Sequence, residues 1–182
     1  RRQRQMCIRD RSDIIIDYFD KKRYNSLIKL VNVGGKLMDR ITSSLIRQFS
    51  DDYELHLSND TVLFEYFCNF CAATNENGLD DIELEEFTTG ISAQGIDGIA
   101  IIVNNRFVYS IDDINEMIRL NKTIKVKFVL VQSKTSDKFD NTEMLNFFHY
   151  AKKFFSEDNH IFSTVEMTRF IELKNYIFDN AS

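Results

Sequence analysis

Proline and tryptophan are absent from this chain, and glycine occurs only six times in its 182 residues. Without proline, its turns must be made by Asn, Asp and those few glycines. Cysteine is scarce as well. Cys7, Cys68 and Cys71 make an odd count that supports no disulfide framework, so a reducing, cytoplasmic setting is expected. No apolar run is long enough to cross a bilayer, and Arg1-Arg2-Gln3-Arg4 leads into no signal-peptide core, so no membrane partner is expected. P-loop, GxGxxG and GxSxG patterns are missing, as are internal repeats. A chain that begins without Met is expected to be a piece of a longer protein, with a further C-terminal domain beyond it.

What is present suits a soluble α/β domain able to bury its own core. Hydrophobic residues make up 43% and charged residues 28%, and the sixteen phenylalanines are best read as core. A net charge of −5 argues against coating nucleic acid by bulk electrostatics. Charge is uneven, however. Arg119, Lys122, Lys125, Lys127, Lys134 and Lys138 form a basic strip opposed only by Asp137, which is either a solvated face or a hold on a phosphate backbone.

The spacing of Ile14, Ile15, Tyr18 and Phe19, and of Leu37, Ile41, Leu45 and Phe49, predicts helices between Asp13 and Ser50. Residues 1–58 are therefore expected to be a helical extension, and 59–182 the main domain. A helix is predicted from Asp60 to Thr74, capped by Asn59 or Asp60 and apolar almost all round. Its inner charge, Glu65, is either a solvated edge residue or one held at the lip of a cleft.

Leu84–Thr89 reads as a short strand, and Ile99–Val103 as a buried strand entered through Gly95-Ile96-Asp97-Gly98. Asn104-Asn105 then turns the chain into a partner strand, Arg106–Ser110. A short helix follows at Asp112–Leu120, an inner strand at Lys125–Val131, and a helix at Asn141–Phe155 with Met144, Leu145, Phe148, Ala151 and Phe155 on its stripe. A short element and a final helix fill Ile161–Phe178. Alternating strands and helices place the chain in the α/β class.

Two features at strand ends could carry chemistry. Asp97 lies between glycines, where it is either a turn residue or a group held close to a ligand. Gln132-Ser133-Lys134 ends an apolar strand, where unpartnered polar groups are costly. Alternation points Gln132 and Lys134 to one face, and if the strands are neighbours both can meet Asp97.

That set suits phosphodiester hydrolysis. Asp97 is a hard oxygen donor for Mg²⁺ or Mn²⁺, the Gln132 side-chain carbonyl a neutral second and the Ser133 backbone carbonyl a third, with Glu65 completing the shell. Lys134 would orient or deprotonate the attacking water and offset charge on phosphate. Cys68 and Cys71 have CxxC spacing but sit in an apolar helix with no second ligand pair, so core packing is expected. His56, His149 and His160 are scattered. The run Asp80, Asp81, Glu83, Glu85 and Glu86 is either a solvated edge or the source of one further ligand.

Phe64-Glu65 in a helix, Gly95-Ile96-Asp97-Gly98 opening a strand and Val131-Gln132-Ser133-Lys134 ending another together resemble the PD-(D/E)XK nuclease superfamily. They are similar in particular to its Mrr-like branch, where Gln replaces the acidic residue before X-Lys. With Thr135-Ser136 and Phe139-Asp140, and the Phe-rich helix beyond, the stretch resembles the N-terminal domain of AIPR (abortive infection, phage resistance) proteins. The resemblance covers roughly Asp60 to Phe155. It implies a restriction-endonuclease-like core, a mixed central sheet flanked by helices, and an endonuclease of bacterial phage defence. It further implies Mg²⁺ or Mn²⁺ as cofactor and nucleic acid as partner, DNA ahead of RNA. Asp97, Gln132, Lys134 and Glu65 match the family's site positions, and pairing of two copies would suit cutting of both strands. The alternative is a catalytically inactive module on the same fold that binds nucleic acid or protein.

Overall fold

The computed structural model describes residues 11–21, 24–34, 40–57, 59–77, 82–89, 95–121, 123–135, 141–157 and 160–180. In chain order these form β1 (Arg11–Lys21), β2 (Tyr24–Gly34), α1 (Arg40–Asp52), α2 (Asp60–Asn77), β3 (Gly98–Val103), β4 (Arg106–Phe107), α3 (Ile111–Leu120), β5 (Ile124–Lys134), α4 (Asn141–Phe155) and α5 (Val165–Asp179). The sheet order is β1-β2-β5-β3-β4. β5 is central, parallel to β2 and antiparallel to β3, so the sheet is mixed.

β3 and β5 are apolar on both faces because both faces are covered. On one side Ile99, Ile101, Phe128 and Leu130 pack against α3, α4 and α5; on the other Ala100, Ile102, Val129 and Val131 meet α1 and α2. The result is a three-layer α/β fold, as the alternation of elements predicts. Phe49 of α1 stacks edge-on against Phe67 of α2 at 5.5 Å, joining that pair of helices. Lys174 of α5 is buried among apolar residues and donates from Nζ to the Phe154 carbonyl at 2.9 Å, which satisfies a last-turn carbonyl of α4.

Local signals explain several boundaries. Asn59 Oδ1 accepts from Thr61 N–H at 2.9 Å at the start of α2. Asn104 and Asn105 take φ of 49° and 66°, as a two-residue hairpin turn of type I′ requires. Ser110 and Asp113 form a reciprocal capping box on α3.

Five expectations are corrected. The helical extension over residues 1–58 does not hold for 11–34, which are strands paired into the central sheet. A helix does form from Arg40, but it buries Ile46 and Phe49 and leaves Ile41 exposed, and Leu37 lies outside the described residues. Short apolar runs fit either period, and here the β-branched Ile and Val decided it. Leu84–Phe87 is a 3₁₀ turn rather than a strand, burying Leu84 and Phe87 three residues apart on one side. The partner strand after the Asn-Asn turn is confined to Arg106–Phe107. The buried face of α4 is Phe147, Ala151 and Phe154, and Leu145 is 67% exposed. Finally, the basic strip is not one patch. An extended β5 sets Lys125 and Lys134 about 30 Å apart, Lys127 pairs with Glu76 at 3.0 Å, and Lys122 and Lys138 lie outside the described residues.

Candidate functional site

The site lies where β5 leaves the sheet centre, at the end that β3 enters. Asp97 stands one residue before β3, and its N–H donates to the Val131 carbonyl of β5 at 2.8 Å. Because it precedes the regular strand, alternation does not fix the side its carboxylate takes. That carboxylate turns to Ser133: Oδ2 accepts from the Ser133 N–H at 2.6 Å and from its Oγ at 2.8 Å. Gly95 before it has φ +80°, a conformation that favours glycine, and a Cβ there would come within 3.3 Å of Gln132 Nε2. The Ile96 carbonyl accepts from Thr89 Oγ1, whose own carbonyl accepts from the α5 cap residue Thr164 at 2.8 Å. The turn that carries Asp97 is thus tied to β5 and to α5.

Alternation along β5 puts Gln132 and Lys134 on the α4 side and Ser133 on the α2 side, following Leu130 and Val131. Lys134 Nζ meets Glu143 Oε1 in the first turn of α4 at 2.8 Å. Gln132 is only 3% exposed, beneath Gly95. From the opposite side α2 presents two polar groups one turn apart, Glu65 and Asn69. Asn69 Nδ2 donates to the Asp97 carbonyl at 3.1 Å.

The electrostatics couple these groups. Burial raises the Asp97 carboxyl above its ordinary value, and the two Ser133 hydrogen bonds and the Lys134 charge partly offset that rise. Glu65 is pushed up to about 7, first by burial and then by the Asp97 charge. Burial also pushes the Cys68 thiol up, which keeps it protonated as a core residue. Cys71 is buried beside it.

No family model, curated protein or solved structure matches this chain. Function must therefore be argued from the groups themselves.

Of the five residues singled out in the sequence, Asp97 and Ser133 are in direct contact. Lys134 and Glu65 are coupled to Asp97 through charge, and Gln132 lies buried under the same turn. Ser133 was expected to offer its backbone carbonyl; what the structure describes is its N–H and hydroxyl serving Asp97. A positive charge between Asp97 and Glu65 would oppose both the burial and the Asp97 charge that raise Glu65. Among the described residues no group of three or more His, Cys, Asp or Glu is placed to hold a metal.

The other acidic candidates lie elsewhere: Glu86 pairs with Arg169 of α5, Glu83 and Glu85 are exposed, and Asp80 and Asp81 fall outside the described residues. So do Ser136, Phe139 and Asp140, which carry part of the nuclease resemblance. His149 is exposed on α4. Among the described residues no helix is long and apolar enough to cross a membrane.

Glu143 and Asn69 were not foreseen. Both were legible only as polar residues at telling positions, one in the first turn after Gln132-Ser133-Lys134, the other four residues beyond Glu65. Gly98 completes the set. A Cβ there would overlap the Asn69 amide, with its nitrogen 2.6 Å away. Gly98→Ala is expected to lower stability by about 1–3 kcal/mol through overpacking, and Asn69→Ala in the same chain to recover part of it. Urea unfolding of the two single variants and the double variant checks this.

Proposed function

We propose that the chain is a metal-dependent nuclease domain of the PD-(D/E)XK superfamily, Mrr-like and closest in its motifs to the AIPR phage-defence proteins. On this reading its mixed sheet is a restriction-endonuclease-like core, and it hydrolyses phosphodiester bonds of DNA or RNA, DNA preferred. The observation that carries the reading is the meeting of Asp97 with Ser133 at the end of the central strand, with Lys134 and Glu65 electrically coupled to it.

Asp97 and Glu65 would hold Mg²⁺ or Mn²⁺. Gln132, expected as a neutral third donor, lies buried on the α4 side of β5, opposite the side from which Glu65 comes. The ion when bound supplies the charge that polarises a phosphoryl oxygen. Ser133 fixes Asp97 Oδ2, so the carboxylate is oriented before any ligand arrives. Lys134 supplies the ammonium that orients water and offsets negative charge growing on phosphate. Glu143 holds that ammonium in place through its ion pair.

The test is cleavage of DNA and RNA with Mg²⁺ or Mn²⁺ by the wild type and by Lys134→Met. Metal-dependent cleavage is expected, reduced about 10²–10⁴-fold in the variant. Equal cleavage by both proteins, or none by the wild type on either nucleic acid, would overturn the reading. The ion pair of Lys134 with Glu143 favours a second reading, an inactive module of the same fold that binds nucleic acid or protein with its lysine structurally engaged. That module would bind without cutting.

A further inference from the structure

Asn69 is 2% exposed in an otherwise apolar stretch of α2, and its Oδ1 has no hydrogen-bond partner among the described residues. An unpaired buried acceptor costs stability, so core packing alone favours an apolar side chain here. Leucine has nearly the same shape without that cost. What asparagine adds is a donor, and its Nδ2 serves the carbonyl of Asp97 at 3.1 Å.

The effect is to grip one residue from two directions. The Asp97 N–H is held by Val131 of β5 and its carbonyl by Asn69 of α2. With both backbone groups fixed, the carboxylate has a short, defined reach to the Ser133 N–H. Gly98 is the matching half of the device, because any larger residue would displace the amide. Glu65, one turn before Asn69, brings its carboxyl to the same place.

We propose that Asn69 is a positioning residue that clamps the Asp97–Gly98 peptide and so sets the Asp97 carboxylate on Ser133, a role whose consequence for catalysis rests on the nuclease reading above. Gly98 is conformationally ordinary and is required for the space it leaves. Asn69 touches no reacting atom and acts through Asp97.

The experiment follows the Ser133 amide by NMR hydrogen exchange in the wild type, Asn69→Leu and Gly98→Ala, alongside cleavage kinetics with Mn²⁺. In both variants exchange at Ser133 is expected to quicken about tenfold or more beyond any change shared by the Phe128 and Leu130 amides in mid-β5, which report global stability. In Asn69→Leu kcat is expected to fall about 10–100-fold with KM nearly unchanged, the pattern of a supporting contact. Unchanged Ser133 exchange in folded Asn69→Leu would overturn the clamp, and loosened exchange with unaltered kcat would overturn its consequence for catalysis. Should Asn69→Leu not fold, the same two outcomes in Gly98→Ala decide. If the wild type cuts nothing, loosening confined to Ser133 still upholds the clamp, and the nuclease reading alone falls.

Discussion

Asp97→Asn is expected to abolish metal-dependent cleavage while leaving the protein as stable as the wild type or more so. Asparagine keeps the shape and can still accept from Ser133 N–H and Oγ, so the turn before β3 has no reason to open. What it removes is the negative charge. Burial already penalises that charge, since the carboxyl is raised despite the Ser133 and Lys134 contacts that favour its ionised form. Loss of one electrostatic contact in a reaction centre costs about 10²–10³ in rate, and on the nuclease reading proposed above loss of the Asp97 charge should cost at least that. The melting temperature should match the wild type or exceed it by up to about 4 °C. Kinetics with Mn²⁺ and thermal unfolding at pH 7 give both numbers. A destabilised, inactive variant would instead mark Asp97 as a structural residue.

The second large effect is on stability against pH. Glu65 is pushed up to about 7, and Asp97 is raised as well, both chiefly by burial. The fold therefore holds these protons more tightly than the unfolded chain does. Their contribution is fully present below the ordinary carboxylate range and is lost as pH rises through about 7. The wild type should melt lower at pH 8 than at pH 5 by more than Glu65→Gln does, because the variant keeps its amide neutral throughout.

Mn²⁺ should reverse the loss. At pH 8 a saturating ion at about 100 times its Kd contributes about 2.7 kcal/mol, or about 5–10 °C for a domain of this size. At pH 5, with Glu65 protonated, the gain should be much smaller. Parallel pH profiles for wild type and Glu65→Gln would show that Glu65 is not the group responsible.

Much of this was legible in the sequence because it was written locally. Asn104-Asn105 and the apolar run into Gln132 each determine their own neighbourhood, and both recur in the structure, whereas Ser110, read as the end of a strand, turned out to cap α3 with Asp113. Asp97 could be singled out because the glycines around it have separate reasons to be there, Gly95 for its φ and Gly98 for the amide it faces.

The N-terminal strands were not legible. Ile14-Ile15-Ile16 and Leu27-Ile28 satisfy either period, and pairing of β2 along the whole of β5 is a long-range event. For the same reason Asn69 and Glu143 escaped notice. Each acquires its meaning only when a helix docks across the sheet end and meets Asp97 or Lys134. The basic strip erred in the opposite direction, since closeness in sequence along an extended strand is distance in space.

The measurement that bears most directly on the central claim is a calorimetric titration of Mn²⁺ into the wild type and into Asp97→Asn, both checked for folding, at pH 8. One ion bound by the wild type and none by the variant is the predicted result. No binding by the wild type, even with a non-cleavable DNA present to complete the site, would contradict it.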